Sequence, residues 1–161
     1  MTKKRLIVVL VPILGILIVA AIFFYPAYPF LTPSTDLSEE SIGPFHLNEQ
    51  LHEAEFASFG NYIKSDQQGG YGYLVQGSHY VKTNESGQIV SISIGRGFST
   101  SSGIEIDDPV EKVIDVYGDH YYTYREMGLG DAIVYIDRDN ARELTVWTMD
   151  DYVKGVWLNE R

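Results

Sequence analysis

From Leu6 to Tyr25 the chain carries no charged residue. A helix of that length is about 30 Å long, the hydrocarbon thickness of a bilayer. Pro12 and Gly15 lie inside the run, and membrane helices tolerate both. The alternative is a cleaved signal peptide, whose apolar core is about 7–15 residues and is followed by a small-x-small cleavage site. Here the run is longer and is followed by bulky Phe23, Phe24 and Tyr25, then Pro26. The pattern therefore predicts a signal-anchor helix over residues 6–25 with the lipid bilayer as its partner. Lys3, Lys4 and Arg5 precede the run, and no Lys or Arg follows until Lys64. By the positive-inside rule residues 1–5 form a cytoplasmic tail and the remainder lies outside. The expected localisation is a bacterial cell membrane, crossed once. Tyr25, Tyr28 and Phe30 suit the outer aromatic belt.

The charge balance sharpens this division. The 161 residues carry 12 Lys and Arg against 22 Asp and Glu, a formal net charge of −10. Three of the basic residues belong to the tail, so the acidity belongs to the chain beyond the apolar run. An acidic body argues against nucleic acid as the main partner, because phosphate binding needs a basic surface. It favours a basic protein surface and salt-sensitive association. No cysteine is present. Disulfides, thiolate metal sites, cysteine nucleophiles and a lipoprotein anchor are therefore excluded.

Residues 26–41 read as a Pro-rich, acidic linker, stiffened toward polyproline II by Pro26, Pro29 and Pro33. The folded part is expected over residues 42–161. Within it, Gly103-Ile-Glu-Ile-Asp-Asp-Pro-Val-Glu-Lys-Val-Ile-Asp-Val-Tyr-Gly118 combines several local signals. Ile104 and Ile106 alternate as in a short strand. Asp108 is placed to cap a helix, Pro109 suits its first position, and Glu111 completes a capping box. Val110, Val113, Ile114 and Tyr117 follow helical spacing, and Gly118 is a stop. Gly43 to Gly60 reads as a degenerate copy, with Phe45 and Leu47 alternating, Asn48 as cap and Phe59-Gly60 as the end.

Each copy precedes strand-like runs. The first is followed by Tyr62-Ile-Lys, Tyr71-Gly-Tyr-Leu-Val-Gln, His79-Tyr-Val-Lys-Thr and Ile89-Val-Ser-Ile-Ser-Ile. The second is followed by Tyr121-Tyr-Thr-Tyr, Ala132-Ile-Val-Tyr-Ile, Leu144-Thr-Val-Trp-Thr and Gly155-Val-Trp-Leu. Turn residues separate them. The expected fold class is α+β: an N-terminal transmembrane helix, then two tandem units of one helix plus antiparallel sheet. Repeat 1 would span 42–98 and repeat 2 would span 99–161, with the helices on one sheet face.

The segment from Gly103 to Gly118, followed by strands, resembles the helix-start signature of tandem-repeat envelope proteins. These are the β-lactamase-inhibitor-protein-like fold and the related outer-membrane assembly lipoproteins. It is similar also to uncharacterised exported proteins of Gram-positive bacteria. The resemblance implies a protein that acts by binding other proteins, often through its sheet face. Without cysteine, neither a lipid anchor nor the inhibitor protein's disulfides carry over.

Patterns for chemistry fail one by one. His46 and His52 stand with Glu49 and Glu53, but no H-x-x-x-H or H-E-x-x-H spacing is present, so no metal is expected. Asp137-Arg-Asp139-Asn140 with Glu143 looks like the start of a calcium loop. Arg142 stands where that loop needs glycine and Thr148 where it needs glutamate, so a polar hairpin turn is expected. Ser99, Ser101 and Ser102 lie in a glycine-flanked loop without a nucleophile elbow, and Gly95-Arg-Gly97 reads as a turn. No cofactor is implied.

The aromatics carry the remaining signal. Val156 and Leu158 share a strand face, which sends Trp157 to the other; Leu144 and Val146 do the same to Trp147. Tyr71 and Tyr73 share a face, and Tyr135 opposes Val134 and Ile136. If helices cover one sheet face, Trp147, Trp157, Tyr135, Tyr71 and Tyr73 are the candidate binding residues on the other. The expected function is a membrane-anchored, extracytoplasmic protein-binding module, not an enzyme, engaging an envelope protein through an acidic, aromatic sheet face. The alternative is a cell-envelope hydrolase using a carboxylate pair.

Overall fold

The computed structural model describes residues 28–75 and 79–161. The chain divides into two compact units, Met1–Thr32 and Pro33–Arg161. Of the first unit, the described part holds one helical turn, α1 (Tyr28–Leu31). The second unit holds α2 (Glu53–Ala57), β1 (Tyr62–Gln67), β2 (Gly70–Val75), β3 (His79–Asn84), β4 (Ile89–Ile94), α3 (Val110–Tyr117), β5 (Tyr122–Glu126), β6 (Gly130–Asp137), β7 (Arg142–Met149) and β8 (Tyr152–Glu160).

All eight strands form one antiparallel sheet in the order β1-β2-β3-β4-β8-β7-β6-β5. The α+β expectation of two tandem helix-plus-sheet units is thereby overturned. The strands β4 and β8 pair directly, Ser91 to Asn159 through Ile94 to Val156, and merge the strands into a single sheet. The two helices of this unit have only 5 and 8 residues, too little to form a helical layer. Irregular chain completes the cover of the core: Leu37, Ile42, Phe45, Leu47, Leu51 and Ile104 are all buried with Phe56 of α2 and Val113 of α3. Among the described residues no helix is long and apolar enough to cross a membrane. That stands against the single-pass membrane localisation; the run at 6–25 itself lies outside the described residues.

The α3 boundary differs from its sequence signature. The helix is preceded by Pro109, which makes no side-chain capping bond. Asp108 instead turns back: its Oδ2 accepts the Glu105 N–H at 2.7 Å and the Lys112 ammonium at 2.8 Å. The capping box therefore does not form. The freed Val110 N–H goes to the Asp151 carbonyl of the β7–β8 turn at 3.0 Å, so the sheet caps the helix. The far end behaves as the sequence suggests: Gly118, at φ 85°, donates its N–H to Ile114 O.

The segment read as the end of a linker is bound to the sheet. Thr35 N–H donates to Ile136 O, and Leu37 N–H to Asp137 Oδ2, both at 2.8 Å. Arg142 donates to the carbonyls of Leu37 and Ser38. Glu40 is buried, accepting both hydroxyls of Ser101 and Ser102 at 2.6 Å. Asp137 also accepts from Asp139 N, Asn140 N and Asn140 Nδ2. The calcium-like sequence is thus a hairpin turn whose first aspartate also anchors the strap.

Candidate functional site

Side chains of directly paired residues share a sheet face, so the registers assign every strand residue to one of two faces. The row Tyr135–Leu144–Leu158–Ile92–Val81–Tyr73 runs across β6, β7, β8, β4, β3 and β2. It packs against Phe56, Val113 and Tyr117 and defines the helix face. The neighbouring row Tyr122–Val134–Thr145–Trp157–Ser93–Tyr80 points to the far face.

The five sequence-derived candidates split between these faces. Tyr135 is fully buried in the helix-face core, its hydroxyl donating to Gly118 O at 3.0 Å. Tyr73 is buried on the same face and donates to Glu53 Oε1 at 3.1 Å. Tyr71 belongs to that face too but is exposed, on the strand next to the edge strand β1, with the Lys64 ammonium 4.5 Å from its ring centroid. Glu53 also accepts Lys64 Nζ at 2.6 Å and Tyr62 OH at 3.1 Å. These bonds hold its carboxyl below the usual range, and they raise the Lys64 ammonium in turn. This group ties α2 to the β1–β2 hairpin. Tyr135 and Tyr73 are therefore core residues; one step of pleat separates them from the face where the sequence reading set them.

Trp147 and Trp157 do lie together on the far face, at 5.2 Å between centroids and 65°. Tyr124 meets Trp147 edge-on at 5.5 Å, and Tyr122 stacks on Tyr124 at 6.3 Å. Offset and edge-to-face contacts of this kind are favourable for quadrupolar rings. Exposure grades along the chain of rings. Trp147 is 2% exposed, Trp157 and Tyr122 are half-buried, and Tyr124 is 40% exposed. Trp147 shields Ala132 and Val134, and its buried Nε1–H has no hydrogen-bond acceptor.

Beside the rings runs a polar row: Ile136–Glu143–Asn159–Ser91–Lys82–Gly72. It floors an open cleft of about 840 Å³, lined by Lys82, Val90, Ser91, Glu143, Asn159, Glu160 and Arg161. Ser91 Oγ donates to Asn159 Oδ1 at 2.6 Å. Glu143 and Arg161 form an ion pair at 3.6 Å. Burial raises the Glu143 carboxyl above its usual range, and Arg161 offsets part of that rise. Burial first, then the Glu143 charge and Tyr124, push the Tyr122 phenol up to about 12. Gly72 leaves room on this face for the Tyr80 ring; a Cβ there would stand 2.8 Å from Tyr80 Oη.

Glu143, Asn159, Ser91 and Lys82 do not stand out in the sequence. They come from four strands, and only the β3–β4–β8–β7 register brings them together. Period-two alternation gives each its face but not its neighbours. His46 and His52 are exposed, and among the described residues no cluster of His, Asp and Glu could hold a metal. No protein-family model matches this chain, and neither a curated protein nor a solved structure matches it.

Proposed function

We propose that this chain is a protein-binding module that engages its partner through the far face of the sheet. One observation carries the reading: half-buried Trp157 and Tyr122 and exposed Tyr124 adjoin an open polar cleft on that face. Graded aromatic anchors beside hydrogen-bonding side chains are the anatomy of interface hot spots. Trp147 backs the anchors from beneath. The resemblance of Gly103–Gly118 to protein-binding envelope families adds to this reading. The acidic balance of the chain, net −10, favours a basic partner.

The test is affinity capture with the full chain as bait. Trp157→Ala and Tyr124→Ala should each reduce the captured partner at least tenfold, while Met127→Ser, at the tip of the β5–β6 hairpin, leaves it unchanged. Equal capture by all three variants would overturn the reading.

A second reading, a hydrolase, is favoured by one feature: Glu143 and Glu160 line the same cleft, and Glu143 has a raised carboxyl. An acid-base pair needs both carboxylates on the reacting bond. Glu160 follows Asn159 along β8, however, and so alternates to the opposite face from it. The geometry therefore favours binding. Turnover of wall glycans that is lost in Glu143→Gln would reverse that preference.

A further inference from the structure

Glu143 stands out on the far face because it is a half-buried carboxylate with nothing donating to it. Among the described residues no hydrogen bond reaches either of its oxygens. Its one ion pair, to Arg161 Nε, is 3.6 Å long, beyond hydrogen-bond range. At 25% side-chain exposure the carboxylate keeps contact with water, and no protein donor replaces the water it has lost. Other acidic side chains of this fold that lose water are satisfied: Glu40 by two hydroxyls and a backbone N–H, Asp137 by three N–H groups and an amide.

We infer that Glu143 is the receptor for a guanidinium group, the arginine side chain of a basic protein partner, and that Arg161 holds the position until that arginine arrives. The inference rests on the far-face binding proposal and names the partner's chemistry. Three observations support it. First, a free carboxylate edge takes the two parallel N–H groups of a guanidinium, which a single 3.6 Å contact leaves unused. Second, Tyr122 lies in the row next to Glu143 on the same face and stacks on the exposed Tyr124, and phenol rings near a carboxylate suit a flat, delocalised cation better than a compact ammonium. Third, the chain's own Arg161 is already drawn there, at 34% side-chain exposure, its backbone N–H tied to Ala141 O at 2.8 Å. Lys82 lies three strands from Glu143, roughly 14 Å at ordinary strand spacing, and does not compete for the carboxylate.

The probe is N-acetyl-arginine amide, with N-acetyl-citrulline amide as its uncharged isostere. Each is titrated into the full chain while the Trp157 indole and Asn159 side-chain amide signals are followed by NMR. The arginine amide should give a saturable shift and the citrulline amide none. Arg161→Ala should tighten the arginine amide at least threefold by removing its competitor. Glu143→Gln should weaken it at least tenfold while its thermal midpoint stays equal or rises, which separates lost binding from lost folding. Equal shifts from the two amides, or unchanged or weaker binding in Arg161→Ala, would overturn the inference. If the amide fails while Trp157→Ala still abolishes partner capture, only the guanidinium assignment falls. If both fail, the far-face reading falls with it.

Discussion

The two faces of this sheet solve different problems with similar residues. On the helix face Tyr135 is buried and its hydroxyl is spent on Gly118 O. On the far face Trp147 is buried almost as completely, yet its indole N–H has no acceptor. Burying a polar hydrogen without a partner costs about 1–3 kcal/mol. The helix face also places Phe45, Phe56, Phe59 and Phe98 around His79, at 4.4–6.5 Å between centroids. The far face leaves Glu143 without a donor. Buried polar atoms without a partner occur on both faces, Thr83 Oγ1 and Arg142 Nε on the helix face among them; what sets the far face apart is its graded aromatic exposure beside an open polar cleft.

Several variants would break or sharpen that contrast. The largest effect should come from Tyr135→Ala, which empties a fully buried site and removes the Gly118 bond. A loss of about 3–5 kcal/mol is expected by chemical denaturation. Trp147→Ala should approach that figure, because its ring shields Ala132 and Val134; a near-neutral result would mean that the far face has no core of its own. Next comes Leu37→Ala. If the strap from Thr35 to Ser41 is part of the core, the cost is about 2–4 kcal/mol. A cost below about 0.5 kcal/mol, the scale of an ordinary surface substitution, would return it to the status of a linker.

A pH profile addresses His79. Burial lowers its pKa, so the unfolded chain binds the extra proton near pH 6. Stability should be complete above about pH 6.5 and fall as the pH drops below it. The slope should disappear in His79→Gln, as read from thermal midpoints between about pH 7.5 and about pH 5. Glu143 should give the smallest effect, of opposite sense. Its raised carboxyl favours the protonated form when folded, so stability should decline as the pH rises above about 4.5. Glu143→Gln should remove that decline and raise stability at about pH 7 by less than about 1 kcal/mol, the scale of a partly exposed pair.

Local chemistry was legible in the sequence wherever a single segment carried it. The strand runs after Gly60 and Gly118 lie where alternation set them, and the helical spacing of Val113 and Tyr117 buries both residues. Asp150-Asp151 forms the β7–β8 turn with both residues at positive φ, as a two-residue hairpin turn requires. Asp108 shows the limit of such reasoning. A capping box was written in the sequence, but the Asp151 carbonyl reached the helix end first.

By itself, then, the sequence determined which residues alternate, where the chain turns and how acidic it is, because those properties depend on neighbours a few residues apart. Tertiary structure decided the rest. Pairing of β4 with β8 turned two sets of strands into one sheet. The strap at Leu37 and the loops at Phe45 and Ile104 covered a face that two short helices could not. Register then sent Tyr135 and Tyr73 to the core and gathered Glu143, Asn159, Ser91 and Lys82 into one cleft. Alternation says only that a side chain lies on one of two faces. Which face is buried, and who stands beside it, depends on contacts between residues far apart in the chain, 68 positions for the Ser91–Asn159 bond and 105 for the Arg142–Leu37 bond.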